Sequence, residues 1–106
     1  MPESMDTLGM FRLVADKLEK NPALLQVGLE NIARWLGQGT DARARLEEWR
    51  ERIVAAGQTE AGMQSLLRLL REESEQADYL RNFAPFAGVL STAERRRFIE
   101  QCAFTH

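Results

Sequence analysis

An all-α fold is predicted by three features of the sequence. Apolar residues recur at spacings of three and four along almost the whole chain, which is the period of one helix face. No stretch alternates regularly between apolar and polar residues, and β-branched residues are scarce, so strands are not expected. Glycines, prolines and capping residues divide the chain into short segments. We therefore expect a compact bundle or orthogonal array of five to six short helices.

The first two helices are expected to meet at Asn21 and Pro22. The first helix should begin at residue 4 or 6 and end near residue 19. Asn21 can cap the second helix, and Pro22 suits its first position, where no backbone N–H is needed. Gly37 and Gly39 predict the end of this helix, because glycine readily adopts the left-handed conformation that follows many helices.

Side-chain caps predict the starts of the third and fourth helices. Thr40 or Asp41 can cap the third helix, which Gly57 should end. Thr59 can cap the fourth in the same way, by accepting a hydrogen bond from an unpaired backbone N–H of the first turn.

The last two helices are delimited by two serines and a proline. Ser74 predicts a break and a short fifth helix, and one continuous helix over residues 63–83 is the alternative. Pro85 should end the fifth helix. Ser91 and Glu94 match a capping box, in which each side chain accepts a hydrogen bond from the backbone of the other. They predict a last helix that ends near residue 103.

Length and composition indicate a single domain, residues 1–106. Hydrophobic residues make up 44% of the chain, enough for a core without a metal or a disulfide. Cys102 is the only cysteine, so no internal disulfide can form. The acidic start lacks a signal-peptide pattern, and no apolar run approaches the roughly 20 residues of a membrane-spanning helix. A cytoplasmic location without membrane association is therefore expected.

No set of residues has the spacing of a catalytic or metal site. His106 is the only histidine and the last residue, where a general base is hard to hold in place. Together with Cys102 it offers two metal ligands, fewer than a protein zinc site uses. Gly37 and Gly39 follow a helix and lack the lysine of a phosphate-binding loop. The sequence therefore predicts no catalytic residue, no cofactor and no metal, and an enzyme is the least favoured class.

Nucleic-acid binding is an alternative that the arginines leave open. The formal net charge of −2 gives no overall attraction to a phosphate backbone. The candidate contacts are Arg43 and Arg50, with helices two and three forming a helix-turn-helix, and Arg95 and Arg96 on the last helix. Glu47 lies between Arg43 and Arg50 and would repel phosphate, so a solvated surface is favoured.

Residues 83–90, here named the apolar segment, stand out because connections normally run over the surface and are polar. Two interpretations are open. The segment is either a buried elbow that fills the core, which is favoured, or an exposed surface that docks a partner protein. Trp35 lies at the edge of its apolar stripe and would mark an interface if it were exposed.

Two stretches of the chain resemble a known group of proteins. Residues 79–90, followed by Glu94 and Arg95, are similar to the C-terminal end of short, uncharacterised bacterial all-helical proteins. That end has the pattern leucine-arginine, S/A-P-F-A-G-hydrophobic-leucine and E-R, and it follows an N-(L/I)-x-R-W helix, here residues 31–35. Some of these proteins are encoded beside nucleotidyltransferase-like partners, in the manner of toxin–antitoxin pairs. The resemblance implies a partner-binding role and no catalytic residues.

The leading hypothesis is a small helical protein–protein interaction module, antitoxin-like, that binds another protein or a second copy of itself. Its candidate partner-binding residues are Trp35, Phe83, Pro85, Phe86, Val89 and Leu90. A DNA-binding helix-turn-helix regulator ranks second and a small enzyme third.

Overall fold

Six α-helices make up most of the residues that the structure describes. The computed structural model describes residues 2–104, with side chains from residue 8 to residue 101. The helices are α1 (Pro2–Lys20), α2 (Leu25–Gly37), α3 (Arg43–Gln58), α4 (Glu60–Arg71), α5 (Glu75–Arg81) and α6 (Thr92–Phe104). A 3-10 turn (Pro22–Leu24) precedes α2, and no strand occurs between residues 2 and 104. The prediction of an all-α fold is confirmed.

The core lies around α4, which packs between α1 and α3. In turn, α3 packs against α2, and α6 packs against α1. The largest side chains with almost no solvent exposure come from α1 to α4 and from the apolar segment: Leu18, Ile32, Ile53, Leu66, Leu67, Leu70, Pro85 and Val89. Their burial accounts for the apolar stripes in the sequence, because each helix presents one face to this shared core.

A close helix crossing brings α3 and α4 together at Gly62. A Cβ atom at this position would lie 2.2 Å from the carbonyl oxygen of Ala55, so only glycine fits. A single residue, Thr59, lies between the two helices and caps α4, as predicted. Its hydroxyl accepts a hydrogen bond from the backbone N–H of Gly62 over 2.9 Å.

The caps predicted for α2 and α3 are wrong. The side chain of Asn21 makes no capping bond, and its carbonyl instead accepts from Leu24 in the 3-10 turn (3.0 Å). The N-cap residue of α3 is Ala42, not Thr40 or Asp41. The Thr40 hydroxyl accepts from the N–H of Ala42 over 3.0 Å, within the turn before the helix. At Thr40, a bond within the preceding turn thus occupies the hydroxyl that was expected to cap.

The break at Ser74 is confirmed, so the alternative of one continuous helix over residues 63–83 is wrong. The Ser74 hydroxyl caps α5 by accepting from the N–H of Ala77 over 3.1 Å. The end of α5 differs from the prediction. The helix stops at Arg81, before Pro85, and Phe83 lies in the following turn, not in the helix. Tighter three-residue hydrogen bonds, such as Ala84 N–H to the carbonyl of Arg81 (3.0 Å), end it.

The predicted end of α2 and the predicted start of α6 are confirmed. Helix α2 ends at Gly37, and Gly39 has a positive φ of 74° that favours glycine. At α6, the N–H of Glu94 donates to the Ser91 hydroxyl (3.1 Å) and the N–H of Ser91 donates to the Glu94 carboxylate (2.7 Å). The two bonds form the expected capping box.

Candidate functional site

The apolar segment buries four of its eight residues, whereas Ala87 and Gly88 are exposed. The side chains of Pro85, Phe86, Val89 and Leu90 are buried in the core. The Phe86 ring stands edge-on to the ring of Trp49, with their centroids 5.7 Å apart. The chain itself covers these four side chains almost completely, which favours the interpretation as a buried elbow over that as an exposed docking surface.

Asn31 of α2 fastens the apolar segment in place. Its side chain is only 4% exposed, and its amide donates to the carbonyls of Pro85 (2.9 Å) and Ala87 (2.8 Å). Its side-chain oxygen accepts from the Arg34 guanidinium. The two bonds from the amide provide hydrogen-bond donors for carbonyls that lie outside the helices and have no partner within a helix. The two stretches that carry the sequence resemblance thus contact each other, and Asn31 has a structural role.

A second buried polar side chain, Arg81, completes the end of α4. It is 3% exposed and donates to the carbonyls of Leu69 (2.7 Å) and Glu72 (2.8 Å). It also pairs with the carboxylate of Asp78 one helical turn away. A buried arginine can mark an anion site, but here carbonyls and a carboxylate of the same chain occupy it.

Three residues form a partly exposed group, here named the aromatic cluster: Arg45 on α3, Tyr79 on α5 and Phe83 in the turn after α5. The guanidinium carbon of Arg45 lies 4.6 Å from the centre of the Tyr79 ring and 5.7 Å from that of Phe83. The two rings stand edge-to-face with centroids 6.1 Å apart. Arg45 also donates a hydrogen bond to the Tyr79 hydroxyl. These contacts hold α5 on α3 and fix an aromatic ring that is 48% exposed.

Trp35 is less exposed than Tyr79. It is half-buried and packs against the core. The large hydrophobic residues that are clearly exposed between residues 8 and 101 are Val54, Tyr79 and Ile99. Phe83 is half-buried beside Tyr79. It is one of the residues that were predicted to bind a partner, and it belongs to the partly exposed aromatic cluster.

An open groove of about 380 Å³ lies between α1 and α6 and is here named the α1–α6 groove. Its apolar part is formed by Leu13, Leu90 and Phe98. Its charged part is formed by Asp16, Lys17, Lys20, Glu94 and Arg97. The groove combines apolar surface with charges of both signs, and no local pattern in the sequence predicted it.

An ion pair between α1 and α6 lies in this groove, and one of its partners is the glutamate of the α6 capping box. The ammonium of Lys17 pairs with the carboxylate of Glu94 and also donates to the carbonyl of Val89 over 2.8 Å. Hydrogen bonds from Lys17 and from the backbone N–H of Ser91 lower the pKa of Glu94 from 4.5 to about 2. The same oxygen therefore caps α6 and ties it to α1.

The candidate nucleic-acid residues Arg43, Arg95 and Arg96 have different surroundings. Arg43 forms an ion pair with Glu47 over 3.4 Å. Glu47 is the acidic residue that was expected to repel phosphate. Arg95 and Arg96 line a shallow depression on the outer face of α6, whereas the next residue, Arg97, lines the α1–α6 groove. Arg97 therefore faces away from Arg95 and Arg96, and the three arginines do not form one basic surface.

The remaining expectations concern metals and membranes. No group of three or more metal-ligating side chains occurs within the described part of the chain. The side chains of Cys102 and His106 lie outside the described residues. Within the described helices, none has both the length and the apolar character needed to cross a membrane.

Comparisons with known proteins found no similar protein. The chain matches no protein-family model, and neither the curated proteins nor the solved structures include a match.

Proposed function

We propose that this protein is a small helical interaction module that binds another protein through the aromatic cluster. The main support for this proposal is the exposed side chain of Tyr79, which contacts Arg45 and Phe83. Tyrosine and arginine are enriched among the residues that dominate binding energy at protein interfaces. An aromatic ring that is already fixed in the free protein loses little conformational entropy on binding.

The chemistry of the cluster defines what its partner must offer. Tyr79 presents an apolar ring face with a polar hydroxyl, and the Arg45 guanidinium beside it carries several N–H donors. A complementary surface would supply an apolar pocket with a carbonyl or carboxylate acceptor at its edge. We propose an antitoxin-like role on the sequence resemblance, since Tyr79 and Phe83 of the cluster fall within the resembling stretch.

The proposal is tested by recovering the partner with matched variants. The tagged chain is expressed in its own host, and proteins that co-purify in stoichiometric amount are identified, beginning with the product of the neighbouring gene. Tyr79→Ala should reduce recovery by at least about tenfold, as expected for a central aromatic contact. Ile99→Ala is the control, because Ile99 is also exposed (57%) but lies on α6.

Two results would contradict the proposal in different ways. Loss of the partner with Ile99→Ala but not with Tyr79→Ala would place the interface on α6 and refute the aromatic cluster. Recovery of no stoichiometric partner, together with a strictly monomeric chain by light scattering, would refute the interaction module itself.

A further inference from the structure

We infer that the α1–α6 groove binds a small amphiphilic anion, specifically an alkyl carboxylate. The inference is independent of the aromatic cluster, which lies on α3 and α5. It rests on three properties of the groove: its size, its apolar surface, and the fact that some of its charges are paired within the chain while others are not.

The size of the groove favours a small molecule over a protein. Its volume of about 380 Å³ falls in the range of roughly 300–1,000 Å³ that is usual for small-molecule sites. A stable protein interface generally buries more than about 1,000 Å² and is not confined to one groove. Leu13, Leu90 and Phe98 offer an apolar surface on which an alkyl chain can pack.

Both carboxylates of the groove already have cationic partners. Asp16 accepts from the Arg71 guanidinium over 2.8 Å. Arg71 also donates to Glu19, and its hydrogen bonds to Glu19 and to Asp16 raise the pKa of Arg71. Glu94 is bound by Lys17 and by a backbone N–H. Their negative charges are therefore largely offset before any ligand arrives.

Two cations of the groove remain available. Lys20 and Arg97 form no ion pair within the described residues, and both line the groove. The unpaired charge beside apolar surface is complementary to a ligand with an anionic head and an apolar tail. A carboxylate head matches the planar donor fork of Arg97, and Lys20 adds a second positive charge.

Decanoate, used below its micelle-forming concentration, is the probe. It is titrated into the isotope-labelled full chain, and binding is followed by NMR chemical shifts and by calorimetry. Saturable binding is expected, with shift changes concentrated at Leu13, Leu90 and Phe98. Arg97→Gln and Lys20→Gln should each weaken binding by roughly three- to tenfold. Decanol, which lacks the charge, should bind more weakly than decanoate.

Arg96→Gln is the matched control, because it makes the same change on the outer face of the same helix. It should leave the affinity for decanoate unchanged, and unfolding curves should show that all three variants remain folded. The inference is overturned if decanoate does not saturate, if shifts spread over other surfaces, or if Arg96→Gln weakens binding as much as Arg97→Gln. Binding of an acidic apolar peptide in the groove without binding of decanoate would also overturn it.

Discussion

The side-chain nitrogen of Asn31 lies 2.9 Å from the carbonyl oxygen of Pro85 and joins α2 to the apolar segment. Without this bond, a buried carbonyl would face the core with no donor, which costs more than an average hydrogen bond contributes. The buried amide thus explains how an irregular connection can pass through the core of an all-helical protein.

Replacing Asn31 with leucine, which has the same number of side-chain heavy atoms and the same branching, should lower the free energy of unfolding by about 1–3 kcal/mol. The substitution leaves the Pro85 carbonyl without its buried donor and removes the acceptor of Arg34. Urea denaturation measures the change. Gln26→Leu introduces the same side chain at an exposed position of α2 and should change stability by less than about 0.5 kcal/mol. Equal effects of the two variants would show that the Asn31 bonds contribute nothing specific.

Gly62→Ala should destabilise the protein by about 3 kcal/mol or more. The added methyl group would lie 2.2 Å from the backbone oxygen of Ala55, and a backbone atom cannot move aside as a flexible side chain can. Gly37→Ala is the matched control, because a Cβ atom added there would meet no other atom within 4 Å. In that helical position, alanine should be neutral or stabilise by up to about 1 kcal/mol. If thermal unfolding shows no difference between the variants, α3 and α4 do not cross as closely as described.

The sequence predicted those parts of the fold that depend on local chemistry. Thr59, Ser74 and the Ser91–Glu94 box cap helices where expected, because a cap needs only its own backbone within three residues. The errors at Asn21 and Thr40 arose where a turn precedes the helix: a 3-10 turn follows Asn21, and the Thr40 hydroxyl bonds within its own turn. The form of such a turn depends on the path of the chain, which a local pattern does not contain.

The candidate sites were less predictable because they join residues that are far apart in the chain. Arg45 and Tyr79 are separated by 34 positions, and neither has an unusual local pattern. Lys17 and Glu94 are separated by 77 positions, and their pairing depends on how α6 docks on α1. Phe83 was identified from the apolar segment, although the burial of the segment itself was only one of two interpretations.

The Lys17–Glu94 pair should make stability depend on pH in the acidic range. Glu94 has a pKa of about 2 in the folded protein and 4.5 as its ordinary value, so the unfolded chain binds a proton more readily between these values. Its stabilising contribution is therefore complete above about pH 4.5 and is lost as the pH falls towards 2. Urea midpoints measured from neutral pH down through this window follow the loss.

Two variants separate this pair from the other carboxylates. Glu94→Gln should be less stable than the wild type near neutral pH, and the difference should shrink as the pH falls through the window. Glu100→Gln makes the same charge change elsewhere on α6 and should not remove the pH dependence. An NMR titration that gives the Glu94 carboxyl its ordinary pKa of 4.5 in the folded protein would contradict the pairing.

The contributions of Arg45 and Tyr79 to the free energy of unfolding should be coupled in the free protein, before any partner binds. The guanidinium lies over a partly exposed ring, for which a coupling of about 0.5–1 kcal/mol is expected. A double-mutant cycle with Arg45→Ala, Tyr79→Ala and the double variant measures this coupling from unfolding free energies. Because Tyr79 is half-exposed, its single variant should remain folded and usable in binding experiments. Strictly additive single effects would mean that Arg45 does not hold the ring in place, and the low entropic cost of binding through Tyr79 would then lose its structural basis.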